Sequence, residues 1–150
     1  MHYFLMKTEP SSYSIEDLKR DKVTAWEGVR NYQARNTMRD DMHVGDLVFF
    51  YHSNVAEPGI VGEGRVVTEV HADQTAFDPT SHYYDPKSTH ENPRWYCVGI
   101  EFVRTYPRTI TLCELRGDPK LVGLLVTRRG NRLSVLPVDE VHATHIQTLV

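Results

Sequence analysis

The stretch RWYCVGIEFVRTY, from Arg94 to Tyr106, carries the clearest β-strand pattern in the sequence. Its side chains alternate between two faces, with Tyr96, Val98, Ile100 and Phe102 on one and Trp95, Cys97, Glu101 and Val103 on the other. Successive side chains of a strand point to opposite faces of a sheet, so this period of two predicts a strand inside a sheet.

Shorter apolar runs predict the remaining strands. These are His2–Lys7, Leu47–Tyr51, Gly59–Val70 with a bend at Gly62 and Gly64, and two strands flanking a turn at Gly130–Asn131. Helices are predicted in SIEDLKR after a Ser14 cap, in NYQARNTMRDD, in TLCELRG after a Thr111–Glu114 capping box, and in VDEVHATHIQTL. The order shows no regular βαβ alternation. The sequence therefore predicts one α+β domain over residues 1–150, with a mixed, mostly antiparallel or barrel-like sheet flanked by short helices.

The composition is that of an ordinary globular protein, with 40% hydrophobic and 25% charged residues. No apolar run reaches the roughly 20 residues that a membrane span needs, and the first residues lack the order of a signal peptide. Cys97 and Cys113 are the only cysteines and form no CxxC motif, which predicts two buried structural thiols. We therefore expect a cytoplasmic protein that does not bind membranes.

A polar excursion from His71 to Pro93 interrupts the pattern of strands and includes the tyrosine pair 83–84. Excursions of this length in small domains are often functional, and a surface flap is the alternative. His82, Asp85 and His90 lie inside it, but no HxH or HExxH spacing is present. These three side chains could in principle hold a metal, but we predict no metal and no cofactor for the protein.

Positive charge is concentrated in two stretches of a chain whose net charge is −3. AWEGVRNYQARNTMRD (25–40) contains Arg30, Arg35 and Arg39, and TRRGNRLSV (127–135) contains Arg128, Arg129 and Arg132. The remainder is strongly acidic, which argues against the coating of long duplexes. Two small arginine patches instead indicate a local anionic ligand, because guanidinium groups pair with phosphate and stack on flat rings. For any single arginine, a surface ion pair is the alternative.

Three polar groups fall at predicted strand ends or turns, where side chains can converge on one opening. The first is Trp26 with Arg30, Asn31 and Tyr32, the second is His52 with Ser53, and the third is Arg132 with Ser134. An indole stacked on a base contributes about 1–3 kcal/mol, and Asn and Ser can pair with base edges. These residue types predict a pocket for one extruded nucleobase. For Trp26 alone, a core position is the alternative.

The motifs WEGVRNYQARN (26–36), GDLVFFYHSN (45–54) and RLSVLPV (132–138) together resemble those of EVE-domain proteins. The resemblance extends from Tyr3 to about Ile146. EVE domains belong to the PUA-like superfamily, which includes the YTH readers of methylated adenine. The resemblance implies a PUA-like small β-barrel flanked by short helices. It also implies a non-catalytic domain that recognises a modified base in DNA or RNA, with 5-methyl- or 5-hydroxymethylcytosine as the expected ligand.

The resemblance also implies roles for individual residues. Trp26 is expected to be the stacking wall of the pocket. The expected lining residues are Asn31, Tyr32, His52, Ser53, Arg132 and Ser134. The residues expected at the mouth or on phosphates are Lys7, Thr8, Arg30, Arg35, Arg128 and Arg129. Replacing Trp26 by alanine is expected to abolish modification preference and to leave the fold intact.

Two positions depart from the family pattern. Gly99 lies where aspartate is usual, and Leu136 lies where glutamine is usual. We expect the glycine to remove a buried polar contact and the leucine to alter a hydrogen bond near the pocket.

Two other functions are compatible with the sequence. A hydrolase of modified nucleosides could use His52, Ser53 and Lys7, although no acid is evident to orient His52 and no GxSxG turn is present. A general RNA-binding module could use the arginine patches, with steep salt dependence and no preference for a modification. A reader, by contrast, would leave catalysis to a separate partner protein.

Overall fold

The computed structural model describes residues 1–150 and contains eight strands and four α-helices. The strands are β1 (Tyr3–Thr8), β2 (Val23–Ala25), β3 (Leu47–His52), β4 (Gly59–Val66), β5 (His71–Ala72), β6 (Tyr96–Cys97), β7 (Gly99–Thr111) and β8 (Val135–Val138). The helices are α1 (Ile15–Asp21), α2 (Tyr32–Asp40), α3 (Leu112–Gly117) and α4 (Glu140–Thr148). None of these helices has the length and apolar character needed to cross a bilayer.

Six strands form one sheet in the order β2-β7-β4-β3-β1-β8, and β5 pairs with β6 in a separate ribbon. The β1–β3 pair is parallel, and every other pair is antiparallel. The large sheet curls into a half-barrel with the four short helices around it. This confirms the expected α+β fold with a mixed, mostly antiparallel sheet.

The predicted bend at Gly62 and Gly64 is confirmed by two register shifts in the β4–β7 pair. A Cβ atom on Gly62 would lie 2.5 Å from the carbonyl oxygen of Arg104, and one on Gly64 would lie 2.7 Å from Cγ2 of Ile100. Because β7 approaches the backbone of β4 this closely, only glycine fits at both positions.

Each face of the sheet is covered by its own apolar cluster. Alternating β3 side chains separate the two, with Val48 and Phe50 in the first and Phe49 in the second. The first cluster is closed by Ile15 and Leu18 of α1 and by Ala34 and Met38 of α2. The second is closed by Leu115 of α3 and by Ala143 and Ile146 of α4. Burial of these helix faces fixes the loops that precede α1 and α2, where the candidate site lies.

The strongest predicted strand is interrupted at Val98, and its second part runs on to Thr111. The carbonyl of Val98 accepts the Trp26 amide at 2.9 Å, and the amide of Gly99 donates to Oγ1 of Thr68 at 2.6 Å. These contacts divide the segment into β6 and β7. The predicted period of two therefore fails locally, since Cys97, Val98 and Gly99 are all buried.

The predicted strand before Gly130–Asn131 is wrong. Pro119–Leu121 and Leu125–Thr127 form 3₁₀ turns, with amide-to-carbonyl bonds from Leu124 to Leu121 and from Thr127 to Leu124. Leu121 and Leu124 are buried three residues apart, which matches a turn and not an alternating strand. The strand predicted after the turn is confirmed as β8.

The predicted helix caps form, but one only in part. Oγ of Ser14 accepts the Asp17 amide at 3.1 Å, and the Asp17 carboxylate accepts the Ser14 amide at 2.9 Å. Thr111 accepts the Glu114 amide at 3.1 Å, whereas the Glu114 carboxylate binds Arg108 at 2.6 Å and does not complete a capping box. The stronger ionic partner therefore replaces the backbone amide.

The prediction of two buried thiols holds for Cys97 and is wrong for Cys113, which is exposed on α3. The neighbouring Leu115 supplies the buried face of that short helix. Burial, assisted by the charges of Asp73 and Glu27, raises the pKa of the Cys97 thiol to about 12. Cys97 therefore stays protonated, as a structural thiol does.

Candidate nucleic-acid interface

A cavity of about 540 Å³ opens at the C-terminal end of β1. Its lining comes from β1, from the segment before α1, from β2 and the loop to α2, from the 71–93 excursion and from the residue before β8. The lining residues are Lys7, Thr8, Ser12, Tyr13, Thr24, Ala25, Trp26, Glu27, Gly28, Val29, Arg30, Asn31, Tyr83 and Ser134. The volume lies in the usual range for a small-molecule or single-base pocket.

Six of the sequence-predicted site residues share this cavity. They are Lys7, Thr8, Trp26, Arg30, Asn31 and Ser134. Asn31 also caps α2, because its side-chain oxygen accepts the Ala34 amide at 3.1 Å. The cap fixes the asparagine at the cavity rim and leaves its side-chain amide group as a donor.

Trp26 is a core residue that also lines the cavity, with only 8% of its surface exposed. Its ring packs edge-on against Phe50 at 5.4 Å between centroids. The ring is therefore rigidly placed before any ligand arrives. This burial contradicts the expectation that alanine could replace Trp26 without affecting the fold.

Lys7 brings an uncompensated positive charge to the cavity. Its side chain is half-buried, and no carboxylate lies within ion-pair distance of it. The nearest described contact of the ammonium is the Tyr51 ring, 5.7 Å away. Burial lowers the pKa of Lys7, because the charged ammonium loses hydration and gains no partner in return. A ligand with acceptor atoms would supply that partner.

Asp73 organises the loop that forms one side of the cavity. Its side chain is 0% exposed and accepts hydrogen bonds from the Gly28 amide at 2.8 Å, the Thr75 hydroxyl at 2.5 Å and Nη1 of Arg30 at 3.0 Å. Burial alone would raise the pKa of this carboxyl, but the hydrogen bonds from Thr75, Gly28 and Arg30 outweigh burial and hold the pKa below its ordinary value. The carboxylate is therefore charged and fixed in place.

Arg30, expected at the pocket mouth or on a phosphate, lines the cavity and uses all of its donors inside the protein. Nε and Nη2 donate to the Tyr83 carbonyl at 3.2 and 2.8 Å. Nη1 donates to the Val29 carbonyl at 3.0 Å and to Asp73, and Nη2 donates to Thr75 at 3.2 Å. A guanidinium has five N–H groups, and these contacts engage all five. Arg30 therefore ties the 71–93 excursion to the loop after β2.

Tyr83 is a lining residue that reasoning from the sequence did not assign. It is 41% exposed, and its ring lies directly on Gly28, where a Cβ atom would be 2.6 Å from Cζ. Gly28 also has a φ of 88°, a conformation that favours glycine. The tyrosine pair inside a long excursion was the available signal. Elsewhere in the excursion, Asp85 accepts Nε1 of Trp95 at 2.7 Å, and His90 stacks on Phe77.

Several expected pocket residues lie outside the cavity lining. Tyr32 stacks on Trp95 at 4.8 Å between centroids, and Arg35 lies over the same tyrosine and donates to the Arg94 carbonyl at 2.9 Å. His52 faces α1, where its Nε2 accepts the Ile15 amide at 3.1 Å, and Ser53 follows it outside the lining. These side chains are held by neighbouring elements, so position at a strand end was not sufficient to place them.

Three further arginines form an exposed cationic surface before β8. Arg128, Arg129 and Arg132 are exposed, and none of them forms an ion pair. None lines the cavity, but Arg132 is two residues from the lining residue Ser134. Arg129 also lines a separate cavity beside α3. Unpaired guanidinium groups next to a pocket can contact phosphates that flank a bound base.

The two departures from the family pattern have separate structural settings. A Cβ atom on Gly99 would lie 2.7 Å from Cγ2 of Thr68, so Thr68 fills the space that a side chain would need. The threonine hydroxyl accepts the backbone amide of Gly99 at 2.6 Å. Leu136 is buried in the second apolar cluster and does not line the cavity. The leucine therefore has no direct contact with a ligand in this cavity.

The half-buried imidazole of His52 makes the stability of the fold dependent on pH. Burial lowers the pKa of His52, so between that pKa and the ordinary value of about 6.5 the unfolded chain binds more protons than the folded one. The contribution is present above about pH 6.5 and is lost as pH falls through the folded-state pKa. We expect the free energy of unfolding in urea to fall by about 1 kcal/mol over this interval, which is the value of one hydrogen bond. His52→Gln is expected not to show this fall. Identical pH slopes for the two proteins would contradict this role.

Comparisons with known proteins are consistent across sequence and structure. The EVE domain family model matches residues 2–149. Human thymocyte nuclear protein 1 is 42% identical over 158 residues, which cover 92% of this chain and 69% of that protein. A crystal structure from Pseudomonas putida has a TM-score of 0.94 at 46% identity and covers 98% of both chains. The crystal structure of human THYN1 in complex with DNA containing 5-methylcytosine has a TM-score of 0.91 at 39% identity, with 99% of this chain and 97% of that chain covered.

The expectation of a cytoplasmic protein is wrong by this comparison. The human relative is named a nuclear protein, as are those of mouse and chicken. Composition and cysteine usage do not separate these two compartments, which are both reducing.

Proposed function

Because the chain belongs to the EVE domain family, we propose that it is a non-catalytic reader of a modified nucleobase, with 5-methylcytosine in DNA as its ligand. The complex of human THYN1 with DNA containing 5-methylcytosine supports the choice of ligand. The observation on this chain that carries the proposal is the cavity, in which three aromatic residues, Tyr13, Trp26 and Tyr83, accompany a lysine that has no ion-pair partner. In this proposal residues 1–150 act as one reader domain.

The extruded base enters the cavity with its ring against the aromatic side chains. Stacking of this kind contributes about 1–3 kcal/mol per base and is tolerant of base identity. Burial of the 5-methyl group adds only about 0.8 kcal/mol, so the methyl group gives a modest preference by itself. Discrimination between bases therefore depends on the polar groups that face the base edge.

Lys7 and Glu27 supply complementary polar groups for a cytosine edge. Cytosine presents acceptors at N3 and O2 and a donor at the N4 amino group. The Lys7 ammonium donates to an acceptor, and the Glu27 carboxylate accepts from the amino group. Burial and the neighbouring Asp73 raise the pKa of Glu27, so this carboxyl gains from a donor that stabilises its charge.

The exposed arginines Arg128, Arg129 and Arg132 bind phosphates on either side of the base. These contacts release counterions and weaken with salt, with a slope of about 0.9 per phosphate on duplex DNA. Stacking and base-edge contacts release few counterions. The preference for a modified base therefore survives added salt, whereas total affinity does not.

Removal of the Lys7 charge tests the pocket. We expect Lys7→Met to weaken binding to a 5-methylcytosine oligonucleotide by about tenfold to a hundredfold, since it removes one charge-assisted hydrogen bond worth roughly 1.5–3 kcal/mol. The matched control is Lys19→Met, which removes the same charge from an exposed position on α1. Fluorescence anisotropy would compare the variants on single- and double-stranded DNA and RNA carrying cytosine, 5-methylcytosine or 5-hydroxymethylcytosine, at two salt concentrations.

The outcomes of this titration separate the candidate functions. A preference for one modified base that persists at high salt, with affinity reduced in Lys7→Met and unchanged in Lys19→Met, supports the reader. Equal losses in both variants, with uniform salt-sensitive binding to every oligonucleotide, would identify a general nucleic-acid module. The hydrolase alternative is not favoured, because Nε2 of His52 is occupied by the Ile15 amide and the Ser53 hydroxyl makes no bond to it. Any catalysis on the bound nucleic acid is assigned to a separate partner chain.

A further inference from the structure

A buried carboxylate at the opposite end of β1 holds two histidines in place. Asp46 is 4% exposed and lies in the turn before β3. Its Oδ1 accepts the backbone amide of His2 at 2.9 Å, and its Oδ2 accepts that of His43 at 2.8 Å. The carbonyl of His2 in turn accepts the Leu47 amide at 3.1 Å. The backbone of both histidines is therefore fixed, although 41 positions separate them in the sequence.

The side chains of these histidines are exposed and converge with the carboxylate. One ligand atom from each of His2, His43 and Asp46 lies within 4.8 Å of the other two. Nδ1 of His43 lies 3.0 Å from the carbonyl oxygen of Asp41. A carbonyl can only accept, so Nδ1 carries the proton and Nε2 carries the free lone pair. Metal-binding histidines are oriented by this type of second contact.

The surroundings carry negative charge without a cationic partner. A cavity of about 400 Å³ beside the histidines is lined by His2, Asp41, Asp139 and Glu140, among others. None of these three acids forms an ion pair, and Asp139 at the start of α4 makes no side-chain cap. The cavity therefore offers room for water and a potential that attracts a cation.

We propose that His2, His43 and Asp46 bind a divalent transition-metal ion of the zinc and nickel class, with water in the remaining position. Imidazole and carboxylate ligands suit these ions, while magnesium and calcium prefer sites made of oxygen alone. Metal–ligand bonds of 2.0–2.2 Å place tetrahedral ligand atoms about 3.4 Å apart. The ligand atoms here lie within 4.8 Å of one another, and a small rotation of the exposed imidazole rings can bring them to this spacing.

This site is separate from the proposed base pocket. His2 and Lys7 lie at opposite ends of β1, and a strand rises about 3.3 Å per residue, which places them roughly 16 Å apart. The metal links the start of β1 to the turn before β3. It therefore stabilises the folded chain and does not touch the bound nucleic acid.

Metal titration of the apo protein tests the site. Zinc affinity would be measured by competition with a chromophoric chelator at pH 7.5, and cobalt would report the coordination geometry by its visible absorption. We expect one equivalent per chain, with affinity reduced at least tenfold in His2→Gln and in His43→Gln. His90→Gln, which alters a histidine stacked on Phe77 outside the cluster, is expected to bind as the parent does.

A further readout distinguishes coordination from nonspecific binding. Zinc is expected to raise the Tm of the parent and of His90→Gln but not of the double variant His2→Gln/His43→Gln. Without metal, the double variant is expected to have the Tm of the parent, because both histidines are exposed. Equal zinc affinity in all variants, or no stoichiometric binding by the parent, would overturn the proposal.

Discussion

Replacing Trp26 by alanine is expected to destabilise the protein by about 3–5 kcal/mol, the usual cost of removing a buried aromatic side chain. The ring is 8% exposed, packs against Phe50 and belongs to the cluster that joins the sheet to α1 and α2. The loss would leave a cavity in this cluster that the surrounding sheet cannot close. Equilibrium unfolding in urea, followed by circular dichroism, would measure the difference.

The matched control for Trp26 is Tyr84→Ala, which removes an aromatic side chain that is 42% exposed in the 71–93 excursion. This change is expected to stay within about 0.5 kcal/mol of the parent. A loss below about 1 kcal/mol for Trp26→Ala would show that the ring acts as a pocket wall without a core role. If the loss is larger, reduced nucleic-acid binding by Trp26→Ala reflects both partial unfolding and lost stacking. Lys7→Met then tests the pocket more directly.

Replacing Arg30 by methionine is expected to destabilise the protein by about 3–5 kcal/mol, because it leaves the carboxylate of Asp73 buried without its cation. The exposed pair of Arg39 with Asp40 provides the control, since Arg39→Met removes an ion pair worth at most about 1 kcal/mol. Urea unfolding of the two variants would compare these costs. Equal small losses would contradict a structural role for Arg30.

The same variant separates the structural role of Arg30 from phosphate binding. Loss of the contacts to Tyr83 and Thr75 is expected to speed proteolysis within the 71–93 excursion. The salt dependence of DNA affinity is expected to stay unchanged, because no free donor of Arg30 reaches a phosphate. Arg132→Ala is expected to lower that slope by about one. A lower slope for Arg30→Met would restore the phosphate-binding role.

Elements with strong local patterns could be predicted from the sequence. Ser14 and Asp17 signal the start of α1 directly, and the short apolar run that ends at Val138 gives β8. The 3₁₀ turns around Leu121 and Leu124 could not be predicted in this way. Their apolar residues face the second cluster because α3 and α4 pack there, and a single sequence does not contain that information.

Part of the candidate site could also be predicted from the sequence. The resemblance to EVE domains implied that Lys7 and Ser134 lie at one pocket, and the pairing of β1 with β8 brings them together. The position of Tyr83 could not be predicted from the sequence. Arg30 brings it to the cavity through hydrogen bonds to Asp73 and to the Tyr83 carbonyl, which lie 43 and 53 positions further along the chain. His52 also follows a strand, but the Ile15 amide turns its ring toward α1.

The position of β1 between β3 and β8 has a consequence for the rate of folding. Tyr3 pairs with Leu47 on one side and with Val138 on the other, so the ladder to β8 closes a loop that contains nearly the whole chain. Contacts between such distant residues incur their loop-closure entropy before they gain pairing energy, and folding slows toward the millisecond-to-second range. During synthesis, the edge of β1 that pairs with β8 stays unpaired until residues 135–138 have left the ribosome. This interval is when the nascent chain is most exposed to aggregation.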